Sequence, residues 1–372
     1  MLAVASLALA AAAQQLASDQ PSTTLKIQAR EVVLPVTVRD KHGALVSSLK
    51  MSDFTLTEDG RPQTIKSFTR ESNLPFRLGL LVDTSRSVSG AMEDERKAAG
   101  KFVDQMLPAD AKSGTQGDQA FLIHFDREVE LLEDFTNSRG KLHHELDEMG
   151  PSRAQSSNQG PETSGDDRGS GQTHSRGGTQ LYDAIYLASH ELMEPKDGRK
   201  ALVVFSDGAD RGSKETLNDA VDAADRANVA IYTIYFKGEQ EGGMGNGFPG
   251  GGHRGGMGGG GYPGGGGGGY PGGGGGGRHG GGSNEPAVDG KKIMEKIATR
   301  TGARYFEAKK KDNLEEIYGQ IAEELRGQYL LTYTPDMVDK DGGYHKVALK
   351  ASKDDLTVVT REGYYAPGGD AK

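Results

Sequence analysis

The stretch Leu80-Leu81-Val82-Asp83-Thr84-Ser85-Arg86-Ser87 decides the fold. Residues 77–82 form a short apolar run of the kind that fills a strand buried on both faces, and the chain turns polar immediately after it. Helical spacing follows over residues 91–107, through Met92, Ala99, Phe102, Val103 and Met106. The polar residues therefore stand at the carboxyl end of a buried strand, where open α/β sheets place their ligands.

The same alternation recurs outward from this point. Strand patterns fall at residues 119–125, 200–205, 229–236 and 303–307. Helical patterns fall at residues 138–149, 181–193, 217–227, 290–300 and 313–325, the last with Leu314, Ile317, Ile321 and Leu325 on one face. Strands alternating with helices predict a doubly wound, mostly parallel, Rossmann-like α/β sheet with helices on both faces.

Both ends of the chain read differently. Residues 25–68 alternate with period two, as in Val32-Val33-Leu34-Pro35-Val36-Thr37-Val38, and residues 328–333, 344–351 and 356–365 return to that rhythm. Neither β piece is large enough to be stable alone. The expectation is an N-terminal β unit at 25–72, an α/β domain at 74–326, and a C-terminal β unit at 328–366 that packs with the first as one small sandwich. Two stretches interrupt the domain: residues 150–178, rich in Ser, Gly, Asp, Gln and Arg, and a Gly-rich tract at 238–283. They are read as an exposed loop and a disordered insertion. The tract's Tyr262 and Tyr270, each before Pro-Gly, offer points for weak self-association, but a flexible spacer fits the composition better.

With 44 basic and 53 acidic residues the net charge of the 372-residue chain is -9, which gives no long-range attraction to nucleic acid or to anionic bilayers. Cysteine is absent, so thiolate metal sites, disulfides and cysteine nucleophiles are excluded together. Residues 1–13 are Leu- and Ala-rich and end in Ala-Ala-Ala, so residues 1–20 read as a signal-peptide-like segment without the usual basic start. That segment is too short to span a bilayer, which takes about 20 apolar residues. The expected location is extracytoplasmic, in the periplasm, at the cell surface or secreted, without membrane insertion.

Asp83, Ser85 and Ser87 alternate by two, and in a tight loop that spacing aims three hard oxygens at one point. Thr179 follows Gly177-Gly178 just ahead of a helix, and Asp207 ends the run Val203-Val204-Phe205-Ser206. Two carboxylates and three hydroxyls from three loops suit a divalent cation, magnesium first, with manganese or calcium as alternatives. Any one of these loops alone reads more simply as a helix N-cap.

All three in this order resemble the metal-ion-dependent adhesion site of von Willebrand factor A domains, with its pattern Asp-x-Ser-x-Ser, then Thr, then Asp. The resemblance covers roughly residues 74–326 and implies that Asp83, Ser85, Ser87, Thr179 and Asp207 hold the metal. It also implies a bacterial adhesion-type module whose protein partner completes the metal shell with an Asp or Glu carboxylate, and no catalytic residues. The flanks resemble VWFA-related proteins of acidobacteria and relatives, through Glu58-Asp59-Gly60 with Gln63, Thr301-Gly302 with Arg304 and Phe306, Gln328-Tyr329 with Tyr333, and Arg361 with Gly363-Tyr364. Arg86 and Val88 depart from the small residues common around such sites.

Two other classes compete with this reading. A scaffold in which the metal only stabilises the fold would bind partners regardless of the ion. A magnesium-dependent phosphatase would use Asp83 as nucleophile, but its acid/base carboxylate is expected two residues on, where Ser85 stands. Neither His143-His144 nor His190 has the spacing of a zinc motif.

Overall fold

The computed structural model describes residues 31–70, 74–109, 117–150, 178–237, 289–308, 313–336 and 342–366. The signal-like segment, most of the 150–178 loop and the Gly-rich tract lie outside the described residues.

The chain enters through β1 (Val32–Arg39), β2 (Phe54–Glu58), β3 (Arg61–Gln63) and β4 (Ile65–Thr69). The α/β part then runs β5 (Phe76–Asp83), a 3-10 segment (Arg86–Ala91), α1 (Met92–Met106), β6 (Gln119–Phe125), β7 (Val129–Thr136) and α2 (Arg139–Glu148). It continues through α3 (Leu181–Leu187), β8 (Arg199–Ser206), α4 (Leu217–Ala227), β9 (Val229–Phe236), α5 (Gly290–Arg300), β10 (Tyr305–Ala308) and α6 (Leu314–Gly327). The exit is β11 (Tyr329–Tyr333), β12 (Tyr344–Ala351), β13 (Thr357–Val359) and β14 (Gly363–Tyr365).

Six strands form the central sheet in the order β10-β9-β8-β5-β6-β7. All neighbours pair parallel except β6 and β7. Every residue of β5 and β6 is buried, as the unbroken apolar runs require of strands covered on both faces. Side chains alternate across the pleat, so Leu78, Leu80 and Val82 pack with α1, α2 and α6 while Leu81 packs with α3, α4 and α5 on the other face. The sheet is thus doubly wound, and the carboxyl ends of β5, β6 and β8 share its upper edge.

The edge strand β7 is a departure from the sequence reading, which assigns no strand there. Its Glu130, Leu131, Glu133 and Asp134 alternate irregularly because only one flank pairs, so neither strand rule registers it. A second departure concerns residues 356–365, read as one strand. They form two, β13 beside β1 and β14 beside β12, which belong to different sheets. Between them Arg361 is buried, with Nη2 donating to the Val33 carbonyl at 3.0 Å and Nη1 bonded to Asn228. The chain turns a corner there and changes sheet.

Both chain ends build two antiparallel four-stranded sheets, β13-β1-β11-β4 and β14-β12-β2-β3. Leu34 lies opposite Leu331 in the first and Leu56 opposite Leu349 in the second. These residues, with Val36, Phe54, Tyr329, Tyr333 and Val347, form one core between the sheets. The sandwich expected from the two ends is therefore present beside the α/β sheet.

Candidate metal centre

Asp83 is the last residue of β5 and is fully buried. Its Oδ1 accepts from the Ser85 backbone N–H at 2.9 Å, a local turn that points the loop back over the strand end. Its Oδ2 accepts from the Ser206 hydroxyl at 2.6 Å, and Ser206 Oγ in turn accepts from Gly208 N–H at 3.0 Å. The Ser85 and Ser87 hydroxyls lie 3.1 Å apart.

Asp207 follows Ser206 directly, and its Oδ1 accepts from Ala209 N–H at 3.0 Å. Gly208 takes φ +72°, and a Cβ there would collide with the backbone of Gly290 at the start of α5. Only glycine allows that loop to approach the Gly290 backbone so closely.

The backbone around Thr179 is tied to two neighbouring loops. The next residue, Gln180, donates to the Asp126 carbonyl at 2.9 Å just past β6, and the Thr179 carbonyl accepts from Arg211 N–H at 3.0 Å. Gly178 permits this approach, since a Cβ would sit 2.6 Å from the Arg211 carbonyl oxygen. The 207–215 loop is strapped to the start of α3 as well. Asp183 accepts from Lys214 N–H and Glu215 N–H at 2.9 Å, and Asp210 accepts from Ser213 Oγ at 2.5 Å and Tyr182 N–H at 3.2 Å.

Electrostatics follow from this packing. Burial pushes the Asp83 carboxyl up to about 7, and the neighbouring Asp207 charge adds to the rise, while hydrogen bonds from Ser206 and Ser85 oppose it. A buried carboxylate beside a second one is stabilised by a cation, and the surrounding donors are all hard oxygens. The residues fit a divalent ion of the magnesium class. Of the five residues singled out in the sequence, hydrogen bonds tie Ser85 to Asp83 and to Ser87, the Asp207 charge acts on Asp83, and Thr179 is anchored to both flanking loops. Ser206 was missed as a site residue because a serine inside a strand end carries no signal until its partner is known.

A doubly wound α/β domain with paired carboxylates and hydroxyls on its upper edge defines the class. Residues 78–209 match the family described as von Willebrand factor type A domain, and the chain carries such a domain. No curated protein matches the chain.

Among solved structures, the chain is similar to the vWF domain of the type V pili tip protein Mfa5 from Porphyromonas gingivalis, at 12% identity over 68% of this chain and 95% of that one, TM-score 0.41. Proximal thread matrix protein 1 from the mussel byssus, with a zinc occupied MIDAS motif, matches at 12% identity over 68% of this chain and 48% of that one, TM-score 0.42. BatB from Bacteroides thetaiotaomicron matches at 17% identity over 43% and 66%, TM-score 0.31. The chain thus spans about half to two thirds of the length of several structures it resembles.

Proposed function

We propose that this protein binds a protein partner outside the cytoplasm through a divalent ion held by Asp83, Ser85, Ser87, Thr179 and Asp207 in the domain at 74–326. The observation that carries the reading is the buried Asp83 carboxylate, fixed on both oxygens by neighbours and set beside the Asp207 charge. Such an edge lacks only positive charge. Magnesium suits the all-oxygen donors, and when bound it supplies a hard positive centre that a carboxylate of the partner can reach.

The chain's own residues do the positioning. Ser206 and the Ser85 amide hold Asp83, the 207–215 straps hold the Asp207 loop against Thr179, and the glycines at 178 and 208 let the backbones meet. Ser85 stands where a phosphatase would carry its acid/base carboxylate, which favours binding over phosphoryl transfer.

The test is magnesium titration calorimetry on the full chain, followed by partner capture from native extract with magnesium or with chelator. Asp83→Ala is expected to abolish both the magnesium heat and the capture. Equal capture in all conditions would assign the ion a structural role only.

A further inference from the structure

The sandwich carries a cluster that the site on the α/β domain does not use. Glu58 ends β2, Asp59 opens the β2–β3 turn, and His345 lies on β12, with ligand atoms of all three within 4.8 Å of one another. His345 Nδ1 is 2.8 Å from Asp59 Oδ2 and 3.9 Å from Glu58 Oε1. For bonds of about 2.0–2.2 Å, two ligands of a tetrahedral ion stand about 3.3–3.6 Å apart. The two separations from the imidazole bracket that edge, and the third, between the two carboxylates, is within 4.8 Å, so small side-chain shifts bring the three atoms around one ion.

Each ligand is held from behind. Glu58 Oε2 accepts from the Tyr333 hydroxyl at 2.5 Å and the Tyr364 hydroxyl at 3.2 Å, which turns Oε1 toward the imidazole. Asp59 Oδ1 accepts from Lys346 N–H at 2.9 Å, which leaves Oδ2 for the same point. The His345 ring stacks on Tyr364 at 28°. Outer hydrogen bonds of this kind orient the ligands of metal sites. The Glu58 and His345 side chains are only 7% and 10% exposed, whereas that of Asp59 is 43% exposed and gives an ion and its water a way in.

A His–Asp hydrogen bond explains the shorter contact. The tyrosine hydroxyls account for Glu58 Oε2, but neither contact accounts for Oε1, which stands 3.9 Å from the same nitrogen, beyond hydrogen-bond reach. The Arg61 charge acts on Asp59, so an ion at the cluster would have a cationic neighbour.

We propose that Glu58 Oε1, Asp59 Oδ2 and His345 Nδ1 form a second divalent-metal site on the sandwich, for zinc or a similar first-row ion. One nitrogen and two carboxylate oxygens suit that class, with water in the remaining position. The ion replaces the proton shared by Nδ1 and Asp59, and the ring's proton moves to Nε2. That atom is buried without a partner. Among the described residues Nε2 has no acceptor of the kind that usually backs a ligating histidine, which lowers affinity about 10–100-fold relative to a site that has one.

The full chain is dialysed against micromolar zinc and its metal measured by elemental analysis, with Asp59→Asn, His345→Gln and Asp83→Ala in parallel. Asn tolerates the left-handed backbone that Asp59 adopts, so the turn is kept. The wild type and Asp83→Ala are expected to differ from each other by the upper-edge ion alone. Asp59→Asn and His345→Gln each hold one zinc equivalent less than the wild type and lose the zinc-induced rise in melting temperature. Zinc content and melting shift equal in the wild type and Asp59→Asn overturn the proposal. Magnesium-dependent capture by Asp59→Asn stays at the wild-type level, so failure here is distinct from failure at Asp83.

Discussion

The Ser206 hydroxyl donates to Asp83 Oδ2 across 2.6 Å, joining the ends of β8 and β5 although 123 residues separate them. This bond fixes one carboxylate oxygen by a neighbour that is not itself assigned to the ion. Ser206→Ala is therefore expected to weaken magnesium binding about 10–100-fold, as loss of an outer hydrogen bond does, with the fold retained. Titration calorimetry with circular dichroism as the fold control reads both.

Gly208 combines a positive φ of +72° with contact against the Gly290 backbone. Gly208→Ala is expected to cost about 1–3 kcal/mol through strain and displacement of the loop. The loop carries Asp207, so magnesium affinity should fall with it. A urea melt unchanged from the wild type would show that the α5 end gives way freely.

Glu95 of α1 is fully buried and accepts a hydrogen bond from the Tyr318 hydroxyl of α6, linking the helix after the Asp83 loop to the last helix of the α/β part. Burial pushes its carboxyl up to about 8, with the Tyr318 hydrogen bond opposing. A raised folded value means that the stability from this group is complete below its unfolded value near pH 4 and declines as pH rises to about 8. Glu95→Gln removes that decline. The stability difference between variant and wild type should shift in the variant's favour by on the order of 3 kcal/mol from pH 5 to pH 8, measured by urea unfolding in saturating magnesium.

Glu324 of α6 is buried between three donors: Arg39 of β1 at 2.7 Å, Arg304 at 3.2 Å and the Tyr232 hydroxyl at 3.3 Å. Arg39 belongs to the sandwich and Glu324 to the α/β domain, so the pair ties the two together. Glu324→Ala leaves two arginines without their anion and is expected to destabilise by about 3–5 kcal/mol. Hydrogen exchange in β1 and β11 should rise first, since both flank the broken contact.

The parallel strands and the helices around them were legible because their signals are local. An unbroken apolar run such as 77–82 and the helical spacing of Leu314, Ile317, Ile321 and Leu325 each follow from one element's own geometry. The edge strand β7 was not legible. Its one-sided pairing leaves too few buried positions to set a period. The split of 356–365 between two sheets was hidden similarly, because a strand pattern does not say which neighbour it will meet.

By itself the sequence determined which residues bear hard oxygens at strand ends, and in what order, since that depends only on residue type and position in the chain. Only the tertiary structure decided that Ser206 closes on Asp83, that Gly208 lies against Gly290, and that His345 meets Glu58 and, across 286 residues, Asp59. These are contacts between residues whose separation along the chain carries no information about their separation in space. They exist because burying the two faces of the sheet and the inside of the sandwich fixes where each strand ends.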